Sequence, residues 1–89
     1  KNKIKLFYGI IPHKKGLLTM KYTLLIDSRD ETGLIYKISK ILFESGINIT
    51  NEQEFVDNEN SKFFYRSEIS GTIEIENLKN SLQNILPLA

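Results

Sequence analysis

A carboxylate, a hydroxyl and a glycine fall within four residues at Asp30-Glu31-Thr32-Gly33, and a carboxamide follows at Asn48 within Gly46-Ile47-Asn48-Ile49. Together these groups suit a zwitterion. Backbone N–H groups at the start of a helix attract a carboxylate, a glycine lets the chain approach a ligand, and Asp30 or the Asn48 amide can hold an α-ammonium. The same residues also have a purely structural use. Asp30 or Thr32 can cap a helix, Gly33 can permit tight packing, and Asn48 can satisfy a turn. The residues alone leave both uses open.

Other candidates carry less chemistry. The chain has no Cys and a single His, His13, in a Lys-flanked turn with no obvious partner, so thiolate nucleophiles and Cys-based zinc sites are excluded. Glu52, Glu54, Asp57 and Glu59 form an acidic run without metal-loop spacing and read as a solvated hairpin. Phe63, Phe64 and Tyr65 suggest the stacking aromatics of an RNA-recognition sheet, but Ser61-Lys62-Phe63-Phe64-Tyr65-Arg66 lacks the glycine and spacing of that motif. Phe63 and Tyr65 are expected in the core. Arg66 and Glu68 stand two apart on one strand face, where an ion pair contributes at most about 1 kcal/mol. We expect no catalytic residue, no metal and no cofactor.

The elements that position these residues follow from hydrophobic periodicity. Tyr22, Leu24 and Ile26 share one face of a strand, and Thr23, Leu25 and Asp27 the other. Ser28 to Gly33 is turn and cap chemistry. Leu34, Ile35, Ile38, Ile41 and Leu42 then form one helical stripe, closed by a left-handed Ser45-Gly46 C-cap. A strand opens at Ile47-Asn48-Ile49-Thr50 and continues through Phe55-Val56 to the turn at Asp57-Asn58-Glu59-Asn60. After this hairpin Phe63, Tyr65, Ser67 and Ile69 alternate with Phe64, Arg66, Glu68 and Ser70. Ile75, Leu78, Leu82, Ile85 and Leu86 mark a second helix that Pro87 stops.

This β-α-β-β-α body lacks the last strand of a split β-α-β sheet. Residues 3 to 11 read as a strand, and Pro12 to Gly16 as the turn joining it to the body, so this segment is expected to supply the missing edge antiparallel to the first body strand. The alternative is that residues 1 to 19 precede a native start at Met20 and pair with a neighbouring chain. On either reading residues 1–19 are an extension and 20–89 the domain.

Eighty-nine residues, 40% apolar and 26% charged, make one small folded module. Residues 1 to 21 hold six Lys and no acid, whereas 22 to 89 hold six basic and eleven acidic residues. The acidic body would repel phosphate, so nucleic acid is an unfavoured partner and the basic segment reads as a solvated strand. No run approaches the roughly 18 apolar residues of a membrane span, and the Lys-rich opening is a poor signal peptide; the expected location is cytoplasmic.

The stretch from Tyr22 to Asp57, with its Asp-x-x-Gly turn, amphipathic helix and Gly-x-Asn-Ile strand opening, resembles an ACT domain. Arg29 to Ile35, Gly46 to Ile49, Glu54-Phe55-Val56-Asp57 and Phe63-Phe64-Tyr65-Arg66-Ser67-Glu68 more narrowly resemble the N-terminal ACT domain of bacterial formyltetrahydrofolate deformylases, over about residues 21 to 87. The resemblance implies an α+β, ferredoxin-like fold and a regulatory module that forms homo-oligomers through a sheet edge or face. It also implies a small amino-acid-like effector held between paired domains, with Asp30, Thr32, Gly33, Asn48 and Ile49 as the positions to test. The parent enzymes release formate from a one-carbon carrier and feed purine synthesis. Their catalytic Asn, His and Asp lie in a hydrolase domain that these residues do not include, so this chain alone is not expected to be catalytic. Thr32 departs from the Pro of many ACT loops. A stand-alone ACT regulator, or an RNA-binding module of the same topology, are the other readings.

Overall fold

Alternation along Tyr22, Leu24, Ile26 and Ser28 buries one face of a long strand, and Phe63, Tyr65, Ser67 and Ile69 do the same beside it. In the computed structural model these faces meet two helices. The structure describes residues 2–12 and 18–87, and of 9–12 and 18–20 the backbone alone. Of the expected turn from Pro12 to Gly16, Pro12 belongs to the first strand, and the rest, His13 included, lies outside the described residues.

The element order is β1 (Lys3–Pro12), β2 (Leu18–Arg29), α1 (Leu34–Glu44), β3 (Asn48–Asp57), β4 (Lys62–Ser70) and α2 (Ile75–Ile85). The strands form one antiparallel sheet in the order β1-β2-β4-β3. β1 pairs with β2 from Lys3 opposite Asp27 to Pro12 opposite Leu18, and so occupies the edge that the body leaves open. At the far end of this ladder Asn2 receives a hydrogen bond from the Arg29 amide and donates one to the Pro87 carbonyl. Both helices cover one face; α1 lies toward β3 and α2 toward β1.

β2 runs well past the expected Tyr22 to Ile26. Ser28 and Arg29 belong to the strand, because Ser28 is fully buried and its hydroxyl is satisfied locally by the Arg29 carbonyl. α1 buries Leu34, Ile38 and Leu42 as its stripe requires. It ends in a Schellman arrangement: Gly46 at φ +74° donates to the Phe43 carbonyl, and Ile47 donates to Leu42. α2 buries Leu78 and Leu82 and stops before Leu86, whose extended backbone fits the residue preceding Pro87.

One irregularity shifts the pattern of β3. Ile49 stands opposite Ile69 but Asn51 opposite Glu68, so Thr50 is an unpaired bulge whose hydroxyl donates to the Glu68 carbonyl at 3.1 Å. Beyond it Glu52, Glu54 and Val56 take the helix-side registers, while Asn51, Gln53 and Phe55 take those of the open face.

Candidate functional site

The loop from Asp30 to Gly33 carries β2 into α1. The Asp30 amide donates to the Ser61 carbonyl at 2.8 Å, which ties this loop to the β3–β4 hairpin. Asp57 shapes that hairpin by accepting the amides of Glu59 and Asn60 and the Asn60 carboxamide, and these hydrogen bonds hold its carboxyl below the usual carboxylate range.

The helix start differs from the expected one. No side chain caps it; Gly33 itself is the N-cap residue, at φ +86°, and its carbonyl accepts from the Lys37 amide. Neither Asp30 nor Thr32 is an N-cap here. Glu31 instead reaches one turn into the helix and pairs with Lys37 at 2.7 Å. Nor does Gly33 mark tight packing, since a Cβ built there meets nothing within 4 Å. Glycine is needed for its left-handed backbone, and the space above it is open. Asp30, Thr32 and Gly33 are all exposed, so the uncapped first turn of α1 faces solvent beside a carboxylate and a hydroxyl.

Asn48 and Ile49 are elsewhere. Asn48 pairs with Ser70, which pairs with Lys21, whereas the Asp30 loop follows Arg29, which pairs with Lys62. Eight residues of β2 separate those levels, roughly 26 Å at strand rise. One copy of the chain therefore keeps Asp30, Thr32 and Gly33 together at one end of the sheet, and Asn48 and Ile49 at the other.

On the helix side of the sheet three buried oxygens have no hydrogen-bond partner among the described residues: Glu52 Oε2, the Tyr65 hydroxyl and the Ser67 hydroxyl. Burial pushes the Tyr65 phenol up, the Ser67 hydroxyl beside it eases it, and the carboxylates of Glu52 and Glu54 push it further up. Desolvation raises the Glu52 carboxyl above its ordinary 4.5, and Glu54 adds to the rise. Glu52 thus departs from the expected solvated hairpin, because the bulge turns it inward. A raised value in the fold makes the neutral acid the favoured form, so its stabilising contribution is lost as pH rises through that value. Glu52→Gln should therefore match the parent below pH 4.5 and exceed it in stability at pH 7. Urea denaturation at the two pH values measures the difference; equal gains at both would refute the ionic origin.

Sequence reasoning did not single out Tyr36 and Phe43. Seven residues apart on the outer side of α1, they are 68% and 82% exposed and flank a shallow groove over Ser39 and Lys40. Their absence from the apolar stripe was the available signal. Among the described residues no group of three or more His, Cys, Asp or Glu could hold a metal, and no helix is long and apolar enough to cross a membrane.

Comparison with known proteins points in one direction. The chain is 40% identical over 67 residues to the formyltetrahydrofolate deformylase of Haemophilus influenzae, covering 75% of this chain and 24% of that protein. Its fold matches the solved formyltetrahydrofolate deformylase of Burkholderia mallei with a TM-score of 0.66 at 17% identity, over 73% of this chain and 24% of the other. The enzyme of Pseudomonas syringae pv. tomato matches at 0.64 and 25% identity, over 82% and 25%. The similarity lies in the N-terminal region of those proteins, and the chain spans about a quarter of their length. No protein-family model matches.

Proposed function

We propose that this chain is the regulatory, oligomer-forming ACT module of a formyltetrahydrofolate deformylase, and that it binds a small amino-acid-like effector between two copies. The observation that carries the reading is the 40% identity with an N-terminal stretch of such an enzyme. Strand order supports it: β1 fills the place of the last strand in a split β-α-β sheet, which is the ferredoxin-like arrangement expected of an ACT domain.

The separation of the two halves of the candidate site suits a paired site. A two-fold axis beside α1 and the β3 edge sets two copies side by side and head to tail, so the Asp30–Gly33 end of one adjoins the Asn48–Ile49 end of the other. Each pair then offers helix N–H groups to an α-carboxylate, and Asp30 with the partner copy's Asn48 to the α-ammonium. Tyr36 and Phe43 would be covered by the same contact. The effector acts by favouring the paired arrangement in proportion to its preference for it.

Sedimentation of the chain should show a dimer, and Phe43→Asp should shift it to monomer by weakening association at least about tenfold. Calorimetry with glycine, serine and methionine is expected to give binding to the dimer that Asn48→Ala and the monomeric variant both lose. A chain that stays monomeric at high concentration, or a dimer silent to all three, would refute the effector site.

A further inference from the structure

The helix-free face of the sheet has an arrangement that the effector site does not use. Register aligns Lys5 with Leu25, Arg66 and Gln53 in one row across the four strands. The adjoining row runs from Lys3 through Asp27 and Phe64 to Phe55. The two rows line a recess of about 480 Å³, large enough for a molecule of one or two rings.

The recess is polarised. At the β1 side Lys3 and Lys5 are exposed and no acid among the described residues forms an ion pair with either. Of the two acids lining the recess, Glu54 lies at the β3 edge, away from the lysines, and Asp27 is already engaged by Lys62, whose ammonium also lies 5.8 Å from the Phe64 ring centre. Arg66 is held at 3.3 Å by Glu68 and is 43% exposed, so part of its guanidinium remains open to an anion. Toward β3 the surface becomes aromatic: Phe55 and Phe64 stack with centroids 6.2 Å apart and are 64% and 37% exposed. Exposed aromatic area beside uncompensated cations is the usual make-up of a site that reads a ring and a charge together.

We infer that this recess binds a small anion carrying an aromatic ring, with the ring over Phe64 and Phe55 and its carboxylate or phosphate held by Lys3, Lys5 and Arg66. Charge distribution sets the size of the occupant. A nucleic-acid strand crossing the sheet would leave the lysines of β1 and run on toward Glu54 at the β3 edge and the acidic hairpin of Asp57 and Glu59, whereas a compact anion can stay between Lys3, Lys5 and Arg66.

Amide NMR titration of the 89-residue chain tests this with benzoylglutamate as a ring carboxylate and adenosine monophosphate as a ring phosphate. Saturable shifts at Leu25, Gln53 and Phe64 are expected with at least one, and the better of the two identifies the anion. Glutarate, which lacks the ring, and benzamide, which lacks the charge, should each bind at least about tenfold more weakly. Lys3→Gln with Lys5→Gln, both at exposed positions that spare the core, should weaken the better ligand about tenfold and flatten its salt dependence. The proposal is overturned if neither anion saturates, if the double variant binds as the parent does, or if the shifts gather at Gly33 and Asn48. Tighter binding of a hexauridylate than of either anion would reassign the face to RNA. A change of sedimentation in Phe64→Ala would reassign it to an interface between copies.

Discussion

Ile38→Ala is expected to lower the unfolding free energy by about 2–5 kcal/mol, the range for truncating a large aliphatic side chain where neighbours cannot collapse into the space. Ile38 is fully buried at the middle of α1, and Leu34 and Leu42 on the same face are also buried against the sheet. With all three packed against Leu24, Ile69 and Leu82 in one cluster, the hole has rigid walls on every side. Small domains have only about 5–15 kcal/mol in total, so the variant should be marginal at 37 °C. Urea titration measures the loss; a midpoint shift equivalent to less than about 1 kcal/mol, at unchanged slope, would mean that α1 does not seat against the sheet as described.

Removal of the chain before Leu18 should have an effect of similar size and a different signature. β1 pairs with β2 along ten registers, buries Ile4, and through Asn2 reaches both the end of β2 and the Pro87 carbonyl after α2. The burial of Ile4 is worth about 2 kcal/mol, and each lost ladder hydrogen bond about 1 kcal/mol net. Without β1, the long strand that carries Tyr22, Leu24 and Ile26 becomes an unprotected edge. The shortened chain should lose its cooperative melt or associate through that edge, as circular dichroism and sedimentation would show. A monomer that melts within about 5 °C of the full chain would make β1 an ornament rather than part of the sheet.

The parts of this fold legible in the sequence are those in which one face of an element is uniformly apolar. Tyr22, Leu24 and Ile26, the α1 stripe, and Phe63 with Tyr65 all lie where simple periodicity puts them, and Phe63 and Tyr65 are each 2% exposed. The Arg66–Glu68 ion pair follows from the same alternation. The helix start was not legible in this way, because Asp30 and Thr32 have the right chemistry for a cap and only the left-handed turn at Gly33 removes the need for one. Nor does a sequence carry the distance between Gly33 and Asn48. They adjoin the two ends of one helix, and a helix of eleven residues is long enough to set them at opposite ends of the sheet. The inward turn of Glu52 was hidden for a third reason, since nothing in Asn-Ile-Thr-Asn-Glu marks which residue will be left out of a ladder.

The unpaired Thr50 has a consequence for the whole outer strand. Strand side chains obey parity, odd to one side and even to the other, and a single supernumerary residue exchanges the two sets for everything downstream. Were Thr50 instead paired in strict alternation, Phe55 would face the interior and Glu52 and Glu54 would turn outward, the arrangement that solvent preference alone would choose. The domain instead keeps a phenyl ring on its bare side and turns Glu52 and Glu54 to the registers of the helix side. Thus the exclusion of Thr50 from the ladder, rather than the apolar pattern of β3, decides that Phe55 joins Phe64 on the open side.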